Sequence, residues 1–453
     1  MSTLAALRGG SITARAMRSS LLTMGSFGFA QVLRLASNLI LTRLLFPEAF
    51  GLMALVMVFL IGLGQFSDVG VTPSIMQSRR GDDQRFLDTA WTIQAFRGVG
   101  LWLVACALAW PMAWFYDQPM LAQILPVSAL TLLITGFRPT RMITANRHLM
   151  LGRVTVLDIG TQVAGMLTAV LLAWWWGSIW ALVVSGVIGA LIEVVLNWRF
   201  LPGPGNRLRW EKAAAKELIG FGKWVFLATV CGFFFTQADK MLIGKFIALD
   251  AFGVYNIGFF WASFPLMLGN LVTHKILIPV YRETPPTESR ENFLKLRKMR
   301  FAVSSLLIGF VAVFALLGVW LVQTLYDVRY EEAGAVAVVL ACAQIPMLIV
   351  MTYDQAALAA GDSRRYFYLA FARAVLMVGC ILIGLHAAGL IGALIGQAAA
   401  FTLAYPAVVW LARRSGAWDR LHDAVFFGVG LMLSALALWM NWGPILQLVL
   451  QGG

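Results

Sequence analysis

The sequence predicts an all-α polytopic membrane protein, with two six-helix lobes related by a parallel pseudo-twofold repeat around a central cavity and about one extra C-terminal span. Three observations lead to this prediction. Of the 453 residues, 60% are hydrophobic and 13% are charged, whereas soluble proteins carry about 25% charged residues. Apolar stretches of about 20 residues, the length that crosses a bilayer, recur along the chain. The two halves also carry matching motifs.

Thirteen stretches are long and apolar enough to be predicted as membrane spans. We expect six spans in each lobe, and the thirteenth follows the second lobe. No cleaved signal peptide is expected, because the first apolar stretch is longer than a typical signal core. The predicted spans are 20–45, 50–75, 89–115, 119–141, 154–176, 178–200, 217–246, 251–279, 300–326, 332–358, 366–386, 388–412 and 423–442.

A Pro- and Gly-containing loop after the sixth span divides the chain. The predicted parts are a basic N-terminal segment at 1–19, an N-lobe at 20–200, an inter-lobe loop at 201–216, a C-lobe at 217–412, and a loop plus extra span at 413–453.

The basic residues explain the net charge of +13 and predict the orientation of the chain. Twenty-seven of the 35 Lys and Arg residues lie in the N-terminal segment and in alternate loops. By the positive-inside rule, the N-terminus and those loops are predicted to be cytoplasmic. The charge is therefore not a nucleic-acid signal. The basic segment 289–300 is expected to lie along the cytoplasmic surface, in contact with anionic lipid.

The first predicted span carries a full positive charge at its centre. Arg34 shares a helical face with Gln31 and Asn38, because residues three and four apart lie side by side on a helix. A Lys or Arg at a span centre costs about 2.5–3.5 kcal/mol on insertion scales. Such a residue is usually kept because it faces a water-filled cavity, so this face predicts a transporter whose cavity accepts anions.

Two nine-residue segments match at an offset of 202 residues. Arg43–Gly51 and 245–253 both read base, four mixed residues, acid and Ala-Phe-Gly. At the same offset the polar face of span one aligns with polar residues of span seven. Arg34 aligns with Thr236, Ser37 with Asp239 and Asn38 with Lys240. Six spans per half start both halves on the cytoplasmic side, which is a parallel repeat.

These regions resemble a known family. The first runs through Ile40-Leu-Thr-Arg-Leu-Leu-Phe-Pro-Glu-Ala-Phe-Gly-Leu, Phe66-Ser-Asp-Val-Gly-Val and Ser74-Ile-Met-Gln77, and the second through Gln237-Ala-Asp-Lys-Met-Leu-Ile-Gly-Lys-Phe246 and Ala251-Phe-Gly-Val-Tyr255. They resemble the Wzx-type oligosaccharide flippases, in the polysaccharide-export branch of the multidrug/oligosaccharidyl-lipid/polysaccharide exporter superfamily. The resemblance covers 15–415, and the thirteenth span departs from a twelve-span plan.

The resemblance implies a substrate and partners. Its members carry polysaccharide repeat units on undecaprenyl pyrophosphate from the cytoplasmic to the outer leaflet of the membrane. A polymerase and a chain-length regulator are expected to act nearby, the protein is expected to be a monomer in membrane lipid, and no cofactor, metal or nucleic acid is expected.

Further charged residues in or near spans are candidates for the site. The cations Arg97, Lys240, Lys275 and Arg373 could join Arg34 against a pyrophosphate, although Arg97 and Lys275 could instead reach toward the lipid headgroups. Candidates for ion coupling are Asp68, Asp158, Asp239 and Asp354. Structural alternatives stay open: Asp239 could pair with Lys240, Asp68 could bond free backbone, and Asp354 could cap a helix.

Two other functions compete with the flippase. An ion-coupled multidrug exporter of the same superfamily would carry cations and need an acidic cavity, which the central arginine argues against. A membrane polysaccharide polymerase would need a long outer loop with catalytic residues, and every predicted outer loop is short. No phosphate-binding glycine loop and no metalloprotease or nucleophile-elbow motif occurs in the sequence. We therefore expect a transporter and no enzyme.

Overall fold

The structure is a computed structural model that describes residues 12–68, 70–148, 150–219, 223–273, 277–359 and 363–451. Only the backbone is described for 12–24, 151, 219, 223–225, 278–279, 282, 354–359, 363 and 451. Within these residues the chain is helical throughout, with no strand. The protein is thus an all-α polytopic membrane protein, as the composition predicts.

The described part of the chain forms 21 α-helices and one short 3-10 helix, Val328–Tyr330. We number the α-helices in chain order. They are α1 Ile12–Leu44, α2 Pro47–Phe66, α3 Val71–Gln77, α4 Gln84–Tyr116, α5 Leu121–Ser128, α6 Leu130–Gly136, α7 Arg141–Arg147, α8 Leu151–Trp176, α9 Trp180–Phe200, α10 Lys212–Ile219, α11 Lys223–Phe246, α12 Leu249–Ala262, α13 Phe264–Val272, α14 Ile278–Glu283, α15 Arg290–Leu325, α16 Glu332–Ala343, α17 Ile345–Ala359, α18 Ser363–Leu403, α19 Tyr405–Arg414, α20 Arg420–Met440 and α21 Trp442–Gln451.

Among the described residues, fewer helices qualify as membrane spans than the thirteen predicted. Nine are long and apolar enough to cross a membrane, or eleven if each of two bent helix pairs forms one span. Helix α1 is not among them, because its polar central face lowers its hydropathy. Among the nine, the stretch Arg364–Arg414 is counted as a single helix, although its backbone breaks at Ala388 and Gly389. That break lies between the predicted spans 366–386 and 388–412.

The chain divides into two compact units. Unit 1 comprises Met1–Leu45 and Phe59–Phe221, and unit 2 comprises Phe46–Val58 and Gly222–Gly453. Helix α2 therefore contributes its first turns to unit 2 and its last turns to unit 1. The extra C-terminal span, α20, belongs to unit 2.

In unit 1, helix α8 packs along both α1 and α9, and α4 packs along α5 and α6. Glycines permit the closest of these approaches. A Cβ at Gly98 on α4 would lie 3.0 Å from the Cα of Gly136 on α6. The segment between the units is bound to this bundle, since Ala214, Ala215 and Leu218 of α10 are buried in an apolar cluster with α3, α4 and α7.

Hydrogen bonds fix the inter-lobe loop to the start of α4. The backbone N–H groups of Arg207, Arg209 and Glu211 donate to the side chains of Asp88, Thr92 and Thr89, at 3.2, 3.0 and 3.2 Å respectively. Arg80 adds ion pairs to Asp83 at 2.7 Å and to Glu211 at 2.9 Å. The hydrogen bonds from Arg80 lower the pKa of both carboxyl groups. The loop is therefore held as a fixed part of unit 1.

Helices α11 and α18 pack along one another in unit 2. Helix α18 folds back on itself at Ala388 and Gly389, where the positive φ of 54° suits glycine. The two arms approach so closely that a Cβ at Gly384 or Gly392 would overlap the carbonyl group of the other residue. Small residues allow such backbone contact between membrane helices, so these two glycines set the spacing of the hairpin.

The two copies of the repeated motif contact each other within unit 2. A Cβ at Gly51 would meet the carbonyl oxygen of Leu249, and a Cβ at Gly253 would meet that of Pro47. Gly253 and Leu249 are the equivalents of Gly51 and Pro47 at the offset of 202 residues. Each copy therefore presents its glycine to the same position of the other copy.

The basic segment 289–300 is helical, and its contact with the cytoplasmic membrane surface stays a prediction. Ser289 caps helix α15, and Arg290 begins a helix that continues without a break to Leu325. One face of the segment is buried in unit 2, where Leu296 and Arg300 are fully buried, while Lys295 and Lys298 are exposed. Lys295 pairs with Glu291 on the same helix, and Arg297 pairs with Asp419 before α20.

We predict that Gly392→Ala destabilises the protein by about 1–3 kcal/mol, because the added methyl group has no space in the hairpin. Gly379→Ala is the matched control on the same helix, where an added Cβ meets nothing within 4 Å. Thermal unfolding of the purified protein in detergent measures both. Equal unfolding temperatures for the two variants would contradict the packing described for the hairpin.

Candidate functional site

The polar face of α1 lies in unit 1. Gln31, Arg34 and Asn38 all fall within one continuous helix, so the predicted face forms. Arg34 is exposed, and Gln31 and Asn38 are half-buried. Arg34 is thus the exposed residue of the three on this face. A cation in this position can meet an anionic group that approaches the helix.

The guanidinium of Arg97, on α4, is hydrogen-bonded to other groups of the chain. Its Nε donates to the hydroxyl of Ser67 at 2.8 Å, and its Nη2 donates to the carbonyl oxygen of Gly64. These acceptors belong to the C-terminal end of α2, where the last carbonyl groups have no partner within the helix. A cation is also favoured there by the helix dipole. Arg97 therefore caps α2, and we do not carry it into the substrate site.

Asp68 and Asp158 occupy different surroundings in unit 1. Asp68 accepts a hydrogen bond from the backbone N–H of Gly70 at 2.9 Å, which is the structural alternative considered for it. Asp158 is half-buried on α8. It lies within electrostatic range of Glu193 and Arg138, which form an ion pair. Asp158 therefore belongs to a small charged group between α8, α9 and the loop before α7.

In unit 2, Asp239 of α11 is a buried carboxylate with two partners. Its side chain accepts a hydrogen bond from the hydroxyl of Tyr255 at 2.6 Å, and the Nζ of Lys240 lies 3.6 Å from the same oxygen, Oδ2. Lys240 also lies 3.7 Å from the ring centroid of Phe259, which is a cation–π contact. The opposite charges lie together because a lone buried charge is costly. Asp239 and Lys240 form a largely buried pair that joins α11 to α12.

The remaining candidates are Arg373, Lys275 and Asp354. Arg373 of α18 is buried, with its guanidinium carbon 5.5 Å from the ring centroid of Phe235 on α11. It therefore lies at the contact between α18 and α11, the helix that carries Asp239 and Lys240. Lys275 lies outside the described residues. Asp354 lies in α17, but its side chain is also outside the description.

Sequence reasoning missed a second buried carboxylate, Asp423 of α20. Its Oδ1 accepts from the hydroxyl of Tyr353 at 2.6 Å and lies 3.0 Å from His422 Nδ1. Its Oδ2 accepts from the hydroxyl of Tyr405 at 2.8 Å and from Trp418 Nε1 at 3.1 Å. Four partners from four segments of the chain therefore meet at one carboxylate. The two tyrosines are distant from Asp423 in the chain, and nothing in their spacing marks them as its neighbours.

A buried arginine lies beside this group. Arg300 is fully buried, and its Nε and Nη2 donate to the hydroxyl of Tyr281 at 3.1 and 2.6 Å. Its guanidinium carbon also lies 4.8 Å from the ring centroid of Tyr353. Nearby, Arg297 binds Asp419, with Nη2 to Oδ1 at 2.9 Å. Burial alone would raise the pKa of Asp419, but the hydrogen bonds from Arg297 and the backbone of His422 lower it overall.

A family model described as "Polysaccharide biosynthesis protein" matches residues 40–335, about two thirds of the chain. Among curated proteins, similarity is found to the teichuronic acid biosynthesis protein TuaB of Bacillus subtilis, at 24% identity over 54% of this chain and 52% of the relative. The lipopolysaccharide biosynthesis protein WzxC of Escherichia coli is 21% identical over 64% of this chain and 58% of the relative. The chain thus spans between half and 60% of the curated relatives that it matches.

Solved structures share the fold. The lipid II flippase MurJ, in an inward closed conformation, matches with a TM-score of 0.66 and 10% identity over 94% of this chain and 99% of the other. A multidrug resistance MATE family transporter in an inward-facing conformation matches with a TM-score of 0.57 and 17% identity over 85% and 95%. At these identities the likeness establishes the fold.

We predict that Tyr255→Phe lowers the stability of the protein by about 1–3 kcal/mol, because the buried carboxylate of Asp239 loses its short hydrogen bond. Tyr368→Phe is the control, since it removes the same hydroxyl from an exposed ring in unit 2. Thermal unfolding of the two variants in detergent makes the comparison. Loss of stability in the control alone would contradict this assignment.

Proposed function

We propose a transport function for this chain, which belongs to the polysaccharide biosynthesis protein family in the multidrug/oligosaccharidyl-lipid/polysaccharide exporter superfamily. It is a flippase that moves undecaprenyl-pyrophosphate-linked oligosaccharide repeat units from the cytoplasmic to the outer leaflet of the bacterial inner membrane. The product feeds a surface polysaccharide: exopolysaccharide, capsule or O-antigen. The observation that carries the proposal is the accessible Arg34 on the polar face of a membrane helix, in a chain of this family.

The chemistry of the substrate fits that face. A pyrophosphate between a lipid and a sugar is strongly anionic, and the hydrocarbon core excludes it. A guanidinium group can donate two parallel hydrogen bonds to phosphate oxygens, which an ammonium group cannot match in geometry. Gln31 and Asn38, one turn to either side, add amide groups that can bond sugar hydroxyls or phosphate. The lipid tail would stay in the bilayer.

Transport would proceed by alternating access of the two lobes. Solved relatives of this fold include inward-facing and outward-facing conformations of a MATE transporter. In our proposal Arg34 receives the pyrophosphate in the N-lobe, and Arg373 and Lys240 contribute positive charge in the C-lobe. Movement of the lobes then exposes the same groups to the other side of the membrane. A polymerase and a chain-length regulator would take up the product.

Asp239 is the acidic residue best suited to coupling this movement to an ion. It is buried beside Lys240 and bound by Tyr255, so protonation or cation binding there would disturb a charged pair and its hydrogen bond. Any such change acts on the contact between α11 and α12. An ion drives a conformational change only through different affinities for the two states, and a buried pair can provide such a difference.

The competing proposal is an ion-coupled multidrug exporter of the same superfamily. Its support is the fold, since several solved relatives are MATE transporters. A cationic drug would, however, be repelled by Arg34. A polysaccharide polymerase has less support, because the relatives of known fold are transporters.

Deletion of the gene tests the function directly. The flippase proposal expects a single undecaprenyl-pyrophosphate oligosaccharide to accumulate on the cytoplasmic leaflet while surface polysaccharide is lost, and mass spectrometry would identify the cargo. Normal surface polysaccharide without accumulation would overturn the flippase, and greater sensitivity to cationic drugs would then favour the exporter.

In the deletion strain, we predict that Arg34→Gln supports transport at least tenfold less well than wild type, because the phosphate loses a charge-assisted contact. Arg34→Lys is expected to be intermediate, since it keeps the charge without the planar fork. Arg43→Gln on the same helix is the control and should transport normally. Surface polysaccharide per cell, at matched membrane expression, measures each variant. Full transport by Arg34→Gln would remove this residue from the site.

A double substitution separates the two roles of Asp239. We predict that Asp239→Asn lowers transport strongly, and that Asp239→Asn/Lys240→Gln recovers stability while the transport that remains no longer depends on the ion. The double variant has no unpaired buried charge, so a purely structural pair would be repaired by it. Thermal unfolding and transport at two external pH or sodium values measure the two effects. Recovery of both would leave Asp239 a structural role only.

A further inference from the structure

A second site lies at the end of α19, well away in sequence from the residues above. An open groove of about 490 Å³ is lined there by Tyr405, Pro406, Val409, Trp410, Arg413, Arg414 and Trp418. Its size falls within the range of about 300–1,000 Å³ that small-molecule sites occupy. The distribution of basic residues assigns this end of the helices to the cytoplasmic side of the membrane.

Two walls of the groove are held in place by one buried atom. The hydroxyl of Tyr405 and the indole N–H of Trp418 both donate to Oδ2 of Asp423, at 2.8 and 3.1 Å. Asp423 is 3% exposed, and its other oxygen is bound by Tyr353 and His422. The aromatic walls are therefore fixed before any ligand arrives, which lowers the entropy cost of binding.

Three arginines surround the groove. Arg413, Arg414 and Arg420 are exposed, and the guanidinium carbons of Arg413 and Arg420 lie 4.0 and 4.8 Å from the ring centroid of Trp418. Within the described residues none of the three makes an ion pair. The nearby acids are already engaged, since Asp419 pairs with Arg297 and Asp423 has its four partners. The groove thus carries three arginines, with the carboxylate of Asp423 buried behind its aromatic walls.

The rest of the lining is apolar and lies where a lipid would be. Pro406, Val409 and Trp410 supply hydrophobic surface beside the arginines, and Trp410 is 43% exposed. Tryptophan and arginine together are typical of the membrane interface, where apolar chains and charged headgroups meet. A free phosphate ion would use only the arginines, whereas a phospholipid would use both parts of the groove.

We propose that this groove binds an anionic phospholipid of the cytoplasmic leaflet, with the headgroup phosphate on Arg413 and Arg414 and an acyl chain along Val409 and Trp410. Arg420, which also lies against the ring of Trp418, strengthens the local positive potential. The occupied site would attach α19 and the start of α20 to the membrane surface. It is independent of the substrate site proposed on α1.

Native mass spectrometry of the full-length protein tests this site. The delipidated protein in detergent is titrated with phosphatidylglycerol and with phosphatidylcholine, and the lipid adducts are counted. We expect Arg413→Gln/Arg414→Gln to bind phosphatidylglycerol about tenfold more weakly than wild type, with phosphatidylcholine binding unchanged. The matched control is Arg207→Gln/Arg209→Gln, which removes two exposed arginines from the inter-lobe loop and should leave both lipids unaffected.

Competition experiments with the same protein identify the ligand. Inorganic phosphate and glycerophosphoglycerol, which lack acyl chains, should not compete at millimolar concentration. Competition by either compound would mean that the groove binds a free phosphate and no lipid. Undecaprenyl monophosphate should compete no better than phosphatidylglycerol, and stronger competition would assign the groove to the carrier lipid. Equal losses in the two double variants would mean that only net charge matters and would overturn the proposal.

Discussion

A charge buried in a membrane protein needs a partner, and this constraint explains the ion pairs and charged hydrogen bonds inside the structure. In hydrocarbon an unpaired ion is costly, so an ionisable group in a span faces water, another charge or the free end of a helix. Asp239 lies against Lys240 and Tyr255, Arg97 caps α2 and Arg138 pairs with Glu193. Arg34 is an exposed residue on the polar face of α1, and the proposed substrate contact begins with it.

Close backbone contact is the second requirement of the fold. Without a hydrophobic driving force between membrane helices, association depends on packing and on short approaches between backbones. Gly384 and Gly392 provide such an approach in α18, and Gly51 and Gly253 provide another in the contact between the repeated motifs. Both copies of the motif therefore keep a glycine, because a larger residue at either position would hold the two copies apart.

The sequence predicted the helices better than it predicted their contacts. Hydropathy located the spans, including the break near Gly389, because lipid imposes a length and a composition on every crossing. It also predicted that Asp68 could bond free backbone and that Asp239 could pair with its neighbour Lys240, since those partners are adjacent in the chain. It did not predict Tyr255 as the donor to Asp239, nor the burial of Arg300. Those contacts join distant parts of the chain, and no local period encodes them.

The group around Asp423 has a consequence for how the protein is made. Its partners Tyr353 and Tyr405 are synthesised before Trp418, His422 and Asp423 itself, and they reach their acceptor only when α20 has entered the membrane. Until then the tyrosine hydroxyls and the side chain of Ser304, which later lies 2.8 Å from His422 Nε2, lack the contacts seen in the finished fold. The polar interior of unit 2 is therefore completed late in biosynthesis. A quality-control protease or an insertion factor that acts during translation would meet unit 2 with this interior still unsatisfied.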